Sequence, residues 1–138
     1  VLEYTSDITS LSAWEALNND ENAFLIDVRT NSEWSFVGVP DLSSIGKDLI
    51  CLQWLTFPDN EINITFGQEL RNYVNFQNNL YFLCRSGSRS RSAASLMYKE
   101  GFSFCFNISD GFEGRMNESR QRNTVDGWKF NGLPWVQS

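Results

Sequence analysis

Hydrophobic and polar residues along the chain form two kinds of segment, short continuous apolar runs and longer runs with helical spacing. Continuous apolar runs predict strands that are buried on both faces; they are AFLIDV (23–28), DLICLQWL (48–55), NLYFLC (79–84) and FSFCFNI (102–108). Apolar residues spaced by three or four positions predict helices over 8–19, 66–76 and 89–100. We expect Thr9 to be the N-cap of the first helix and Gly101 to end the last. The segment NSEWSF (31–36) predicts one helical turn capped by Asn31.

Strands that alternate with helical segments predict an α/β fold. We expect a central parallel sheet of about five strands with helices on both faces. Ligands of such sheets bind beyond the carboxyl ends of the strands. Cys84 ends one predicted strand, while Asp27 and Arg29 lie at the end of another. These residues are therefore expected at the same edge of the sheet.

Length and composition bound the function. A chain of 138 residues with 41% apolar residues indicates one globular domain over 1–138 with a sizeable core. No apolar run approaches the roughly 18 residues of a membrane span, so no membrane partner is expected. With no histidine and three scattered cysteines (Cys51, Cys84 and Cys105), the sequence argues against a histidine metal site, a CxxC zinc site and a disulfide scaffold. No metal or organic cofactor is implied, and so few scattered cysteines leave a reducing cytoplasm as the default.

The charge is unevenly distributed. The net charge of −6 argues against nucleic acid as a partner. Residues 1–61 hold eleven of the seventeen carboxylates and two of the eleven basic residues. Six of the eight arginines lie between residues 85 and 122, at Arg85, Arg89, Arg91, Arg115, Arg120 and Arg122. Because Cys84 adjoins this stretch, we expect a local anion site there. The sequence leaves open whether the last three arginines belong to it or are solvated surface residues.

The segment CRSGSRS (84–90) joins a predicted strand to a predicted helix through a loop of small residues. Such a loop forms an anion cradle, because its N–H groups point inward and the helix N-terminus adds partial positive charge. Gly87 permits a backbone angle that other residues resist, and Ser86, Ser88 and Ser90 leave the cradle open. These donors favour a thiolate at Cys84, which would then need no histidine as its base. The alternative is a small buried residue that ends a strand.

The spacing of the arginines limits the size of the anion. Cysteine phosphatases, and the arsenate reductases like them, use a C-x5-R loop whose arginine clamps two oxygens of a tetrahedral anion. Here the sixth residue after Cys84 is Ser90, and the arginines stand five and seven residues after it, at Arg89 and Arg91. A shorter loop favours a smaller anion, such as one extra sulfur atom on the cysteine, a persulfide. A phosphatase or arsenate reductase is therefore the weaker alternative.

Four segments stand out in chain order: LIDVRTNSEW (25–34), GVPDL (38–42), CRSGSRS (84–90) and DGFEG (110–114) followed by GWKFNGLPW (127–135). Together they resemble a single-domain rhodanese, a sulfurtransferase, of a bacterial rhodanese-related subgroup. The second segment lacks the histidine that the family often has there. The resemblance implies a rhodanese-like fold and a thiosulfate:cyanide sulfurtransferase-like activity. A small sulfur-containing anion would give sulfane sulfur to the protein, which would pass it to a thiol, to cyanide or to a sulfur-relay protein. Some rhodanese modules are instead persulfide carriers or protein-docking domains.

The same resemblance implies roles within the loop. Cys84 would be the catalytic sulfur carrier. The backbone N–H groups that hold the persulfide would belong to Arg85, Ser86, Gly87, Ser88 and Arg89. The side chains of Arg85 and Arg89 would attract an anionic donor. Some thiosulfate-using relatives have a second basic residue where this chain has Ser86, which argues against thiosulfate as the physiological donor.

Charged residues at the end of the first predicted strand are expected to support the site. Arg29 and Glu33 are four residues apart and could pair across a turn, with Asp27 beside them. Arg29 would either line the pocket or form, with Asp27 and Glu33, a network that holds the loop, and the second interpretation is favoured. Cys51 and Cys105 lie within predicted strands, so structural roles are expected for both.

Overall fold

The computed structural model describes residues 2–138. Its elements, in chain order, are β1 (Ser6–Ile8), α1 (Ser10–Asn19), β2 (Ala23–Asp27), α2 (Asn31–Phe36), β3 (Val39–Pro40), a 3-10 turn (Ser43–Ile45), β4 (Ile50–Cys51), β5 (Leu55–Thr56), β6 (Glu61–Ile62), α3 (Phe66–Leu70), β7 (Asn79–Leu83), α4 (Ser88–Lys99), β8 (Phe104–Ile108) and β9 (Trp135–Val136).

The centre of the fold is a five-stranded sheet in the spatial order β1-β8-β7-β2-β4, with every neighbouring pair parallel. α1 packs on one face, where Ala13 and Leu17 share a core cluster with Trp128. α3 and α4 pack on the other face, where Phe66 and Met97 belong to a second cluster. The predicted α/β class and the predicted parallel sheet with helices on both faces are therefore confirmed.

The edge strand β1 has no counterpart among the predicted elements. Its three residues show no apolar alternation, and two of them are exposed. The strand forms because its backbone pairs in parallel with β8, from Ser6 opposite Phe106 to Ile8 opposite Ile108. A strand held by its partner's hydrogen-bonding edge leaves little signal in its own hydrophobic pattern.

Two predicted elements are shorter than expected. Of the run 48–55, Ile50 and Cys51 form β4, and the chain then leaves the sheet to form the antiparallel pair β5–β6. Trp54, between the two strands, is buried edge-on against Phe66 at 5.4 Å between ring centroids, so apolar residues of a connection extend the apparent strand. The helix predicted over 66–76 ends at Leu70.

The helix ends confirm one predicted cap and correct another. Thr9 caps α1, since its hydroxyl accepts from the Ser12 N–H at 3.2 Å. The N-cap of α2 is Thr30 and not Asn31, because Thr30 and Glu33 exchange hydrogen bonds in a capping box. α4 begins after Gly87 and ends just before Gly101, whose φ is +110°. Within residues 2–138, no helix has both the length and the apolar character needed to cross a membrane.

Candidate functional site

The candidate site lies at the carboxyl edge of the central sheet. Asp27, the last residue of β2, stands in register between Leu83 of β7 and Cys51 of β4. Cys84 follows Leu83 directly and is buried, with 1% of its surface exposed. The sequence-based expectation that Cys84 and the Asp27 segment share one edge is met by this register.

The loop after Cys84 closes over the thiol. The Gly87 N–H donates to Cys84 Sγ at 3.1 Å, and Ser90 Oγ lies 3.2 Å from the same sulfur. Gly87 is the N-cap of α4 and has a φ of +102°. A Cβ at this position would also collide with the Ser109 carbonyl oxygen. Glycine is therefore required here both by backbone angle and by space, and the sulfur lies beneath the N-terminus of a 12-residue helix.

A second loop supports the first from behind. The Phe112 N–H donates to the Cys84 carbonyl at 2.8 Å, and the Glu113 N–H donates to the Arg85 carbonyl at 3.0 Å. Gly111 has a φ of +67°, and a Cβ there would collide with the Arg85 backbone. The segment DGFEG (110–114) thus fixes the path of the main chain at Cys84 and Arg85.

Arg89 does not extend freely into the site. Its Nη1 and Nη2 donate to the two carboxylate oxygens of Glu33 at 2.6 and 2.9 Å. Burial alone would raise the pKa of Glu33, but the hydrogen bonds and charge of Arg89 outweigh it and hold the pKa below its ordinary value. The bidentate pair raises the pKa of Arg89 in turn. Because both arms of the guanidinium are engaged, Arg89 ties α4 to α2.

The expected pairing of Arg29 with Glu33 is wrong. Arg29 is fully buried and pairs with Asp27, with Nη2 2.6 Å from the carboxylate, and it also donates to the Gly38 carbonyl. Its guanidinium carbon lies 4.3 Å from the centre of the Phe112 ring. The side chain therefore turns toward its own strand and the Gly38 backbone, and it supports the Phe112 loop rather than lining the cavity beside Arg85.

Lys129 stands over the same Phe112 ring. Its ammonium lies 5.1 Å from the centre of that ring and 4.0 Å from the Trp135 ring, and it donates to the Val37 carbonyl. Burial lowers the pKa of Lys129. Together these contacts attach the C-terminal segment to the loop behind Cys84.

An open cavity of about 540 Å³ adjoins the loop. Its walls are Thr30, Glu33, Leu55, Phe57, Asn60, Arg85 and Arg89. Within residues 2–138 the ion pairs join Arg29 to Asp27, Arg89 to Glu33 and Arg115 to Asp126, so exposed Arg85 is the cation of this cavity without a paired carboxylate. Another cavity, of about 460 Å³, lies at the opposite end of β2 and does not reach the loop.

The later arginines and the other cysteines lie apart from these contacts. Arg115 pairs with Asp126, and Arg122 donates to the Gly114 carbonyl at 2.6 Å. Cys105 is buried in β8, and burial raises its pKa to about 12, which fits a structural role. Cys51 ends β4 and is exposed.

Ser90, which the sequence indicated only as a small residue of the open cradle, lies 3.2 Å from Cys84 Sγ, and Asn107, which contacts Ser90, was missed from the sequence. Both are buried, and the Ser90 hydroxyl donates to Asn107 Oδ1 at 2.6 Å. The signal for Ser90 was its place as the third residue after the N-cap Gly87, a position from which a side chain can reach back to the start of the helix. The signal for Asn107 was one amide in the otherwise apolar strand FCFNI.

Comparisons of the sequence with known proteins find relatives over nearly the whole chain. The sequence model of the STR4 middle domain matches residues 6–138. The uncharacterized protein RC0915 of Rickettsia conorii is 41% identical over 131 residues, which cover 94% of this chain and 95% of that protein. The chloroplastic rhodanese-like domain-containing protein 4 of Arabidopsis thaliana is 28% identical over 91% of this chain, but the match spans 24% of that longer protein.

Two solved structures superpose on the chain. The crystal structure of Rv0390 from M. tuberculosis gives a TM-score of 0.90 with 43% identity, covering 99% of this chain and all of the other. The solution structure of a polysulfide-sulfur transferase homodimer from Wolinella succinogenes gives a TM-score of 0.62 with 17% identity, over 97% and 80% of the two chains. The second match shows a shared fold, and with the Arabidopsis relative it indicates that this fold is rhodanese-like.

Proposed function

Because the chain belongs to the STR4 middle-domain family and has a rhodanese-like fold, we propose that it is a sulfurtransferase that moves sulfane sulfur through a persulfide on Cys84. The observation that carries the proposal is the position of Cys84. A buried thiol at the end of β7 receives the Gly87 N–H at 3.1 Å and lies beneath the N-terminus of α4. An anion that extends from this sulfur would meet a positive helix end and the inward N–H groups of the loop.

The proposed reaction has two sulfur transfers and no net oxidation. In the first, the Cys84 thiolate attacks the outer sulfur of a donor R–S–SH; the donor S–S bond breaks, and R–S⁻ leaves with the electron pair and takes up a proton. Cys84 then carries the outer sulfur as Cys84–S–SH, which ionises at its terminal sulfur. In the second, an acceptor thiolate or cyanide attacks that terminal sulfur, and the Cys84 thiolate is the leaving group. The backbone N–H groups of residues 85–89 would hold the charged terminal sulfur between the two steps.

The state of Arg89 favours sulfur transfer over hydrolysis of an oxyanion ester. A phosphatase arginine must offer two free N–H groups to the oxygens of a tetrahedral anion. In this protein both groups donate to Glu33, and the loop is one residue shorter than C-x5-R. The persulfide needs neither the extra residue nor the free guanidinium.

Exposed Arg85 would attract the donor, since it lines the open cavity beside the loop without a paired carboxylate among residues 2–138. We propose a small sulfur-containing anion as donor and a thiol, cyanide or a sulfur-relay protein as acceptor. The cytoplasmic location suggested by the cysteine content stays a prediction.

A donor and acceptor screen read by intact mass tests the proposal. Thiosulfate and organic persulfides should add the mass of one sulfur atom to the protein, and cyanide or a small thiol should remove it. Cys84→Ser should never gain the sulfur, whereas Cys51→Ser and Cys105→Ser should still gain it. The proposal is wrong if no donor loads Cys84.

The same screen separates the alternatives. Loading followed by repeated turnover indicates an enzyme. Loading without turnover, even when several acceptors are supplied, indicates a persulfide carrier or docking module. Hydrolysis of an aryl phosphate that is lost in Cys84→Ser would instead indicate a phosphatase.

A further inference from the structure

A chain of hydrogen bonds runs from Cys84 to the surface on the side away from the cavity. Cys84 Sγ contacts Ser90 Oγ at 3.2 Å, and Ser90 Oγ contacts Asn107 Oδ1 at 2.6 Å. Asn107 Nδ2 donates to Asp7 Oδ1 at 3.0 Å, and the same oxygen accepts from the Tyr4 hydroxyl at 2.8 Å. The three inner residues are buried, with at most 2% of their surface exposed, whereas Asp7 is exposed on the edge strand β1.

The direction of each hydrogen bond follows from counting protons, starting at the surface. Burial, and then the hydrogen bond to Asp7, raises the pKa of Tyr4, so its hydroxyl keeps the proton that it donates. An Asp7 carboxylate accepts hydrogen bonds and donates none. Asn107 must therefore turn its NH₂ group toward Asp7 and its carbonyl oxygen toward Ser90. A serine hydroxyl has one proton, and the Asn107 carbonyl takes the one that Ser90 has.

The orientation of the Ser90 hydroxyl decides whether the thiol or the thiolate of Cys84 is favoured. With its proton on the side of Asn107, the Ser90 oxygen presents a lone pair to Sγ. A thiol can donate its S–H to that lone pair, but a thiolate 3.2 Å away would face it without a proton between them. The Gly87 N–H favours the thiolate, and the Ser90 oxygen opposes it.

From this geometry we infer that Asn107, oriented by Asp7, is a positioning residue that holds the Ser90 hydroxyl as an acceptor toward Cys84 and so favours the thiol in the sulfur-free protein. The role of this arrangement in sulfur transfer rests on the proposed function. In a persulfide, Sγ is bonded to two atoms and carries no proton, and the charge lies on the terminal sulfur. The lone pair of Ser90 then faces an uncharged Sγ, so it destabilises the persulfide anion little. The sulfur-free cysteine is thereby kept less reactive than the loaded one.

The other charged side chains near Cys84 lie on α4, on β2 and on the loop. Among the cations of α4, Arg89 acts on Cys84 through its charge but is paired with Glu33 of α2, whereas Arg91 acts through its charge on Tyr4. On β2 the buried pair is Arg29 with Asp27, and Arg85 is exposed on the loop. None of these side chains touches the Ser90–Asn107 contact, so variants at Asn107 and Asp7 leave them in place.

The test is the pH dependence of alkylation of Cys84 by iodoacetamide, followed by mass spectrometry in a Cys51→Ser background, because Cys51 is the exposed thiol. Asn107→Leu removes the carbonyl and frees the Ser90 proton for the thiolate. A hydrogen bond to a charged group shifts a titration by about one pH unit, so the midpoint should fall by about that amount. Asn107→Asp keeps an acceptor toward Ser90 and should not lower the midpoint.

The Ser90→Ala variant shows whether a shift in the alkylation midpoint acts through the Ser90 hydroxyl or through a general change in charge or structure. In the Ser90→Ala background, Asn107→Leu should no longer move the midpoint, because there is no hydroxyl to redirect. Asp7→Asn is a surface change that allows the Asn107 amide to turn over. It should lower the midpoint by a smaller amount, and that shift should also vanish with Ser90→Ala. A shift caused only by the lost charge of Asp7 would persist in the Ser90→Ala background.

The inference is overturned if the midpoint rises or stays unchanged in both Asn107→Leu and Asp7→Asn, or if their shifts survive Ser90→Ala. Should Asn107→Leu fail to fold, Asp7→Asn alone decides. Alkylation requires no sulfur transfer, so a protein that never loads sulfur would refute the proposed function and leave this test intact.

Discussion

Glu33→Gln is the change that best separates a structural Arg89 from an anion-binding one. Glu33 accepts both guanidinium arms of Arg89 and also the Thr30 backbone N–H. Glutamine keeps the size and one acceptor oxygen but loses the charge. If Arg89 serves to tie α4 to α2, the variant loses stability, because a partly buried guanidinium is left without its carboxylate.

The magnitude follows from the burial of the pair. The two side chains are 22% and 20% exposed, between a surface pair and a fully buried one. Exposed pairs contribute about 0.2–1 kcal/mol, and removal of one partner from a buried pair costs about 3–5 kcal/mol. We therefore expect the free energy of unfolding to fall by about 2 kcal/mol. For a domain of this size that lowers Tm by about 6 °C.

The stability difference between wild type and Glu33→Gln should depend on pH in a direction set by the pKa of Glu33. The folded-state pKa of Glu33 is below its ordinary value, so the carboxylate stabilises the fold above the unfolded-state pKa of about 4.3. That contribution is lost as the pH falls through the folded-state pKa. The stability difference between wild type and Glu33→Gln should be full at neutral pH and should narrow in acid.

Urea unfolding at pH 7 and at a series of lower pH values measures this difference. Arg115→Gln is the matched control, since it breaks the 3.4 Å pair with Asp126 in which the arginine is 75% exposed. It should change stability by less than about 0.5 kcal/mol. Equal stability of wild type and Glu33→Gln at pH 7, or a gap that does not narrow in acid, would refute the reasoning.

Three further outcomes are expected. Gly111→Ala places a Cβ against the Arg85 backbone at a φ of +67°, so sulfur loading should slow by roughly 100-fold. Gly46→Ala has open space around it and should leave loading unchanged. Arg85→Ala should raise the KM for an anionic donor and make it less sensitive to salt, while Arg91→Ala should not; equal KM values in both variants would contradict this. Burial raises the pKa of Cys105 to about 12, so iodoacetamide at pH 8 should label it in urea but not in the folded protein, and labelling without urea would show that β8 opens.

Part of the fold and site could be predicted from sequence because the signals are local. The apolar runs of β2, β7 and β8 predicted buried parallel strands, and Thr9 before an amphipathic segment predicted the start of α1. The place of Cys84 between a predicted strand and a predicted helix, with Gly87 in the loop, predicted that its sulfur lies at a helix N-terminus. These properties depend on residues that are close together in the chain, where backbone preference and side-chain spacing act directly.

What the sequence could not determine depends on contacts between distant segments. The strand β1 exists because β8 offers it a hydrogen-bonding edge. The spacing of Arg29 and Glu33 suggested a pair, but the fold brings Arg89 from 56 residues away to Glu33 and turns Arg29 back to Asp27.

Asn107 and Asp7 show the same limit. One lies in β8 and the other in β1, a hundred residues apart in the chain, and only the sheet brings them into line behind Ser90 and Cys84. Local preferences decide which residues form a strand, a helix or a loop. The packing of those elements decides which polar groups meet, because a buried donor or acceptor must find its partner wherever the fold places one.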